Sequence, residues 1–124
     1  MKEDYVSFDV AKLLQAKGFD GNADKFYDAD GNLLNMNDLT KLEVEAPTHQ
    51  MAMKWLRNKN LIIRITPFVA WYKKPFLNGY ESWVLNLNLP AEDIDVMKNE
   101  LRRFASTYEE AVEYALKYCL TKIL

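Results

Sequence analysis

The sequence predicts an α+β fold, a small antiparallel sheet packed against helices in the approximate order α-ββ-α-ββ-α-α. Three observations carry this expectation. Apolar residues recur at helical spacing behind recognisable caps near residues 8, 48 and 107. The period then drops to two over 61–66 and 83–89. Two Asx-Gly pairs, Asp30-Gly31 and Asn78-Gly79, supply turn chemistry inside the apolar runs.

The first helix is expected from about Phe8 to Lys17. The Ser7 hydroxyl can accept from an N–H of its first turn, and Val10, Leu13 and Leu14 share a face. Gly18 suits the left-handed position that ends a helix, with Phe19 packing back on Leu14. Asp30-Gly31 predicts a type I′ hairpin between runs containing Phe26-Tyr27 and Leu33-Leu34, and a short strand is expected at 42–44. A second helix begins near Pro47-Thr48, buries Met51, Ala52, Trp55 and Leu56, and is closed by Asn60.

Leu61, Ile63 and Ile65 then alternate with Ile62, Arg64 and Thr66. Trp83, Leu85, Leu87 and Leu89 read as the apolar face of a strand whose wet face carries Val84, Asn86 and Asn88. Pro67 cannot donate to a ladder and marks a bulge or an edge. Asn78-Gly79 reads as a second hairpin turn. Pro90, the acids after it and the spacing of Ile94, Met97, Leu101 and Phe104 predict a helix over 90–105. The last helix starts at Thr107 with Glu110 completing a capping box, and its inner face is Val112, Ala115, Leu116, Cys119 and Ile123. Glu113 and Lys117 are expected to pair on its outer side.

At 124 residues with 49% hydrophobic and 27% charged side chains, the chain suits one domain over 1–124 with one core. A lone cysteine excludes an internal disulfide. The polar start has no signal-peptide pattern, and the apolar runs are far shorter than the ~20 residues of a membrane span. A cytoplasmic protein without membrane association is expected.

The chemistry-bearing residues are sparse. Neither register of the acidic loops meets the calcium-loop rule: with Gly31 at position 6, position 12 is Asn37, and with Asp20 at position 1, position 6 is Lys25. One histidine, His49, and one cysteine, Cys119, fall short of a structural zinc set. Cys119 reads as a core thiol, although a Cys119–His49 nucleophile pair is not excluded by spacing. Ser82 lacks a nucleophile-elbow context, and there is no glycine-rich phosphate loop. No catalytic residue, metal or cofactor is assigned, and a non-enzymatic role is expected.

The net charge of −2 conceals an asymmetry: 1–45 carries −5, 46–80 carries +6 with no acid, and 81–124 carries −3. Lys54, Arg57, Arg64, Lys73 and Lys74, with Trp71 and Tyr72 among them, form the candidate surface for a protein partner or nucleic acid. The simpler reading places the aromatics in the core and pairs the cations with the flanking acids. Homo-oligomerisation through a strand edge is a further expectation.

Ala46-Pro47-Thr48-His49-Gln50-Met51-Ala52-Met53-Lys54-Trp55-Leu56-Arg57 and Thr107-Tyr108-Glu109-Glu110-Ala111-Val112-Glu113-Tyr114-Ala115-Leu116-Lys117-Tyr118-Cys119-Leu120 resemble two helices of short uncharacterised proteins common in phages and mobile elements of gut anaerobes. The resemblance also takes in Val10–Gly18, about a third of the chain, while 86–105 departs from the pattern. It implies a phage-type accessory or protein-interaction module and carries no site residues.

Overall fold

A computed structural model of the chain describes residues 4–21, 23–35, 43–89 and 102–124. Among the described residues, three capped helices organise the fold. Helix α1 spans Phe8–Ala16 and starts where Val10 N donates to the Ser7 hydroxyl at 3.2 Å. It ends in a Schellman arrangement: Gly18 has φ +88°, Gly18 N donates to Gln15 O and Phe19 N donates to Leu14 O. A methyl added at Gly18 would touch nothing within 4 Å, so Gly18→Ala tests backbone conformation alone. It is expected to cost about 1 kcal/mol, read as a lowered urea midpoint with an unchanged slope.

Strands β1 (Lys25–Tyr27), β2 (Leu33–Asn35) and β3 (Val44–Glu45) form an antiparallel sheet in the order β2-β1-β3. The β1–β2 connection is a hairpin of a different kind from the type I′ turn expected. Gly31 N donates to Asp28 O, Gly31 alone takes positive φ, and the Asp28 carboxylate accepts from the Asp30 and Asn32 amides. This is a type I turn followed by a left-handed glycine, the usual three-residue hairpin loop. Those amide donors hold the Asp28 carboxyl below its ordinary range.

Helix α2 (His49–Arg57) is capped by Thr48, whose hydroxyl accepts from Met51 N at 3.2 Å. Asn60, at φ +63°, closes it as expected. Strands β4 (Leu61–Tyr72), β5 (Lys74–Asn86) and β6 (Arg102–Ala105) form a second antiparallel sheet, ordered β4-β5-β6. Helix α3 (Tyr108–Tyr118) follows, capped where Glu110 N donates to the Thr107 hydroxyl at 3.1 Å. It runs on as a π-helical turn over Cys119–Ile123. The core gathers Val10 and Leu14 of α1, Leu56 of α2, Leu61 and Val84 of the second sheet, and Val112, Leu116 and Cys119 of the C-terminal helix.

The α+β class and the approximate element order hold, with the antiparallel strands divided between two small sheets. Three sequence expectations are corrected. The helix predicted over 90–105 gives way at its end to β6, which places Phe104 on a strand; residues 90–101 lie outside the described residues. Asn78-Gly79 makes no hairpin turn. The ladder pairs Pro67 with Tyr80 and Val69 with Leu77, so these two residues oppose Phe68 as a β-bulge, with Gly79 at φ +126°. The chain reverses instead at Lys73, φ +61°, between the paired Tyr72 and Lys74. Finally, β5 is turned over: Ser82, Val84 and Asn86 are buried, while Trp83 and Leu85 lie half exposed and Leu87 follows the strand in solvent. Pro67 meets its expectation, lying beside a bulge on the edge strand β4.

Candidate functional site

The β4–β5 hairpin is longer than the sheet that supports it. Strand β6 pairs with β5 only from Tyr80 to Trp83. Beyond Tyr80 and the bulge, residues 68–78 continue, among the described residues, as a two-stranded arm, a size of β structure that is marginal in water by itself.

Alternation along the paired strands sorts the arm's side chains. Val69, Trp71, Pro75 and Leu77 fall on one face, and Phe68, Ala70 and Phe76 on the other. Both faces are therefore apolar. Five of these side chains are large and exposed: Trp71 at 78%, Leu77 at 55%, Phe76 at 47%, and Phe68 and Val69 near 40%. Trp71, Lys73, Lys74 and Pro75 line a shallow depression of about 250 Å³ at the tip. Solvated apolar groups clustered in this way make the arm the candidate interaction surface.

The structure divides the seven candidate residues. Trp71, Lys73 and Lys74 come together at the tip. Tyr72 belongs to β4, but its side chain lies outside the described part. Arg64 lies further down β4, its guanidinium 5.6 Å from the Trp83 ring centroid. At ~3.3 Å per residue it is roughly 30 Å from the tip. Lys54 and Arg57 are exposed on α2. The cations are thus strung along the molecule rather than gathered. Lys59 lies 4.7 Å over the Trp55 ring, and Arg64 has its ring contact with Trp83.

Val69, Leu77 and the two-faced apolar character of the arm escaped the sequence reading. The signal was present in Pro67-Phe68-Val69-Ala70-Trp71-Tyr72, where both alternating sets are apolar. Such a run normally signifies a strand buried on both sides, and nothing local reveals that the sheet stops short of it.

The titratable interior is a second cluster. His49, buried at the first position of α2, places Nε2 3.3 Å from Oε2 of Glu113 on α3, without hydrogen-bond alignment. The other carboxylate oxygen accepts from Ser7 N at 3.0 Å. Burial pushes the Glu113 carboxyl up, but the His49 imidazole and the Ser7 amide outweigh it and hold the group below its ordinary value. The Tyr27 hydroxyl donates to Val6 O at 2.6 Å, and burial together with the Glu113 charge raises its pKa. The outward Glu113–Lys117 pair expected from spacing is therefore corrected: Glu113 turns inward and ties α3 to the starts of α1 and α2.

Cys119 is fully buried, and burial pushes its thiol up to about 12, the opposite of an activated nucleophile. Among the described residues no three His, Cys, Asp or Glu side chains are grouped to hold a metal ion, and no helix is long and apolar enough to cross a membrane. Comparison of the chain with protein-family models, curated proteins and solved structures gives no match.

Proposed function

We propose that this protein is a non-enzymatic accessory module that engages a protein partner through the β-arm of residues 68–78. The observation that supports it is the arm itself: a ribbon extending past its sheet with large apolar side chains exposed on both faces. A partner surface around the arm removes that apolar area from water and supports a ribbon that is marginal alone. The interior placement of His49 and Cys119 favours this reading over catalysis. A phage-type context, implied by the resemblance of α2 and α3, suits such a module.

Nucleic acid is the competing partner, and exposed Trp71 beside two lysines is the observation in its favour. The arm carries only those two cations, and Arg64 stands well back on β4, so the surface is apolar before it is electrostatic.

The test is site-specific photo-crosslinking in cells that make the protein. A photo-activatable phenylalanine at Trp71 should yield a discrete protein adduct, and the same group at exposed Lys117 on α3 should not. Equal labelling from both positions, or adducts from position 71 that nuclease removes, would overturn the protein-docking reading.

A further inference from the structure

We infer that the arm's partner is a second copy of this chain, and that two copies exchange arms reciprocally, each tip seated in a trough around Phe19 of the other. This rests on the reading of the arm as the docking element and names its occupant.

The trough consists of two depressions that share Phe19. One, of about 350 Å³, adds Asp20, Met51 and Trp55; the other, of about 140 Å³, adds Phe26, Glu43 and Glu45. An aromatic and thioether floor thus lies between carboxylates, with one cation, Lys54, at the larger depression, so the acidic side of the trough is that of Glu43 and Glu45. The arm tip has the complementary character, with an exposed indole at Trp71 beside Lys74 and no acid anywhere between residues 46 and 80. Each chain carries both halves of one contact.

The two halves cannot meet within one chain. Asn58 at the end of α2 lines the larger depression, and β4 starts three residues later at Leu61. The trough therefore sits at the root of the hairpin, while the tip lies some eleven residues out along β4, roughly 35 Å away at strand rise. Contact requires a second molecule, and a two-fold axis lets both arms and both troughs be used in a closed assembly.

The backbone also discriminates between occupants. The β5–β6 ladder ends at Tyr80, and among the described residues no third strand flanks the arm beyond it. Hydrocarbon would leave the amides and carbonyls of such open sheet edges unsatisfied, whereas a protein surface can pair them. Two arms, each with five exposed apolar side chains, bring on the order of 1,000 Å² to the contact, near the lower limit for a specific dimer.

The test is the mass in solution by sedimentation equilibrium. The wild-type chain should sediment at twice its 14.5 kDa. Lys74→Glu should raise the dimer dissociation constant at least about tenfold, and so should Glu43→Lys, because each places like charges at both contacts. Both positions are exposed, so unchanged far-ultraviolet circular dichroism should show that folding is intact. Mixed in equal amounts, the two variants should recover the dimer as a heterodimer. In it the carboxylate introduced at position 74 meets the ammonium introduced at position 43, and the second contact keeps the native Lys74 against the native Glu43.

A wild-type monomer would overturn the inference, as would a dimer indifferent to Lys74→Glu or a mixture that stays monomeric. A mass that climbs without limit as concentration rises would overturn reciprocal closure. The function proposed above is judged separately. A crosslink from position 71 to a protein of different mass would sink self-exchange while retaining the arm as a docking element; no adduct from that position would sink both.

Discussion

Val84→Lys is expected to unfold this domain at ambient temperature or leave it barely folded, whereas Leu87→Lys should change stability by no more than about 0.5 kcal/mol. Val84 is 1% exposed on the helix-facing side of β5, where neighbouring Ser82 donates from its hydroxyl to Ala111 O of α3 at 2.5 Å. An ammonium placed there must be desolvated, carried neutral or forced out through the sheet–helix contact. Each route costs more than about 4 kcal/mol, most of the stability of an ordinary domain. Leu87 is 45% exposed just past the strand, where a lysine stays hydrated. Alternation by itself supports the opposite ranking, with Leu87 in the core and Val84 wet. Chemical or thermal denaturation of the pair followed by circular dichroism decides the matter, and equal loss in both variants would contradict the observed orientation of β5.

Glu113→Ala should cost about 2 kcal/mol at neutral pH, the cost of leaving a part-buried donor without its charged acceptor. The substitution strips the carboxylate acceptor from Ser7 N and removes the carboxylate 3.3 Å from the buried His49 ring. Glu113→Gln should cost about half as much, since an amide oxygen can still accept from Ser7 N but brings no charge. The pH dependence separates the charge from the packing. Glu113 has its carboxyl lowered in the folded state relative to an ordinary value near 4.5. The unfolded chain therefore takes up the proton first as pH falls. The stabilisation is fully present above that ordinary value and is lost as pH drops through the lowered one. Urea unfolding of wild type and Glu113→Gln should accordingly differ most near neutrality and converge below pH 4.5. A gap that persists unchanged into acid would show that the carboxylate charge plays no part.

Neither site was legible as such in the sequence. Helical spacing puts Glu113 and Lys117 on one stripe, but the stripe that faces the interior is chosen by what packs against it. Here the starts of α1 and α2 approach α3 and present Ser7 N and His49. The candidate surface was half legible. Interleaved charge and aromatic residues pointed to Trp71, Lys73 and Lys74, which do share the tip, while Lys54, Arg57 and Arg64 were grouped with them only by proximity in sequence.

The features that the sequence determined by itself are those whose chemistry closes within four or five residues. Ser7, Thr48 and Thr107 each accept from an amide three positions on, and Gly18 and Asn60 adopt the left-handed conformation that ends a helix. The tertiary structure decided the rest. A period of two says that alternate residues part company, not which set is buried, and α3 made that choice for β5. Asn78-Gly79 could have turned the chain, but the pairing of β4 with β5 carries the ladder on past it to Lys73. The α+β class followed from local periodicity; the arm exists because long-range pairing overruled the strongest local turn signal in that part of the chain.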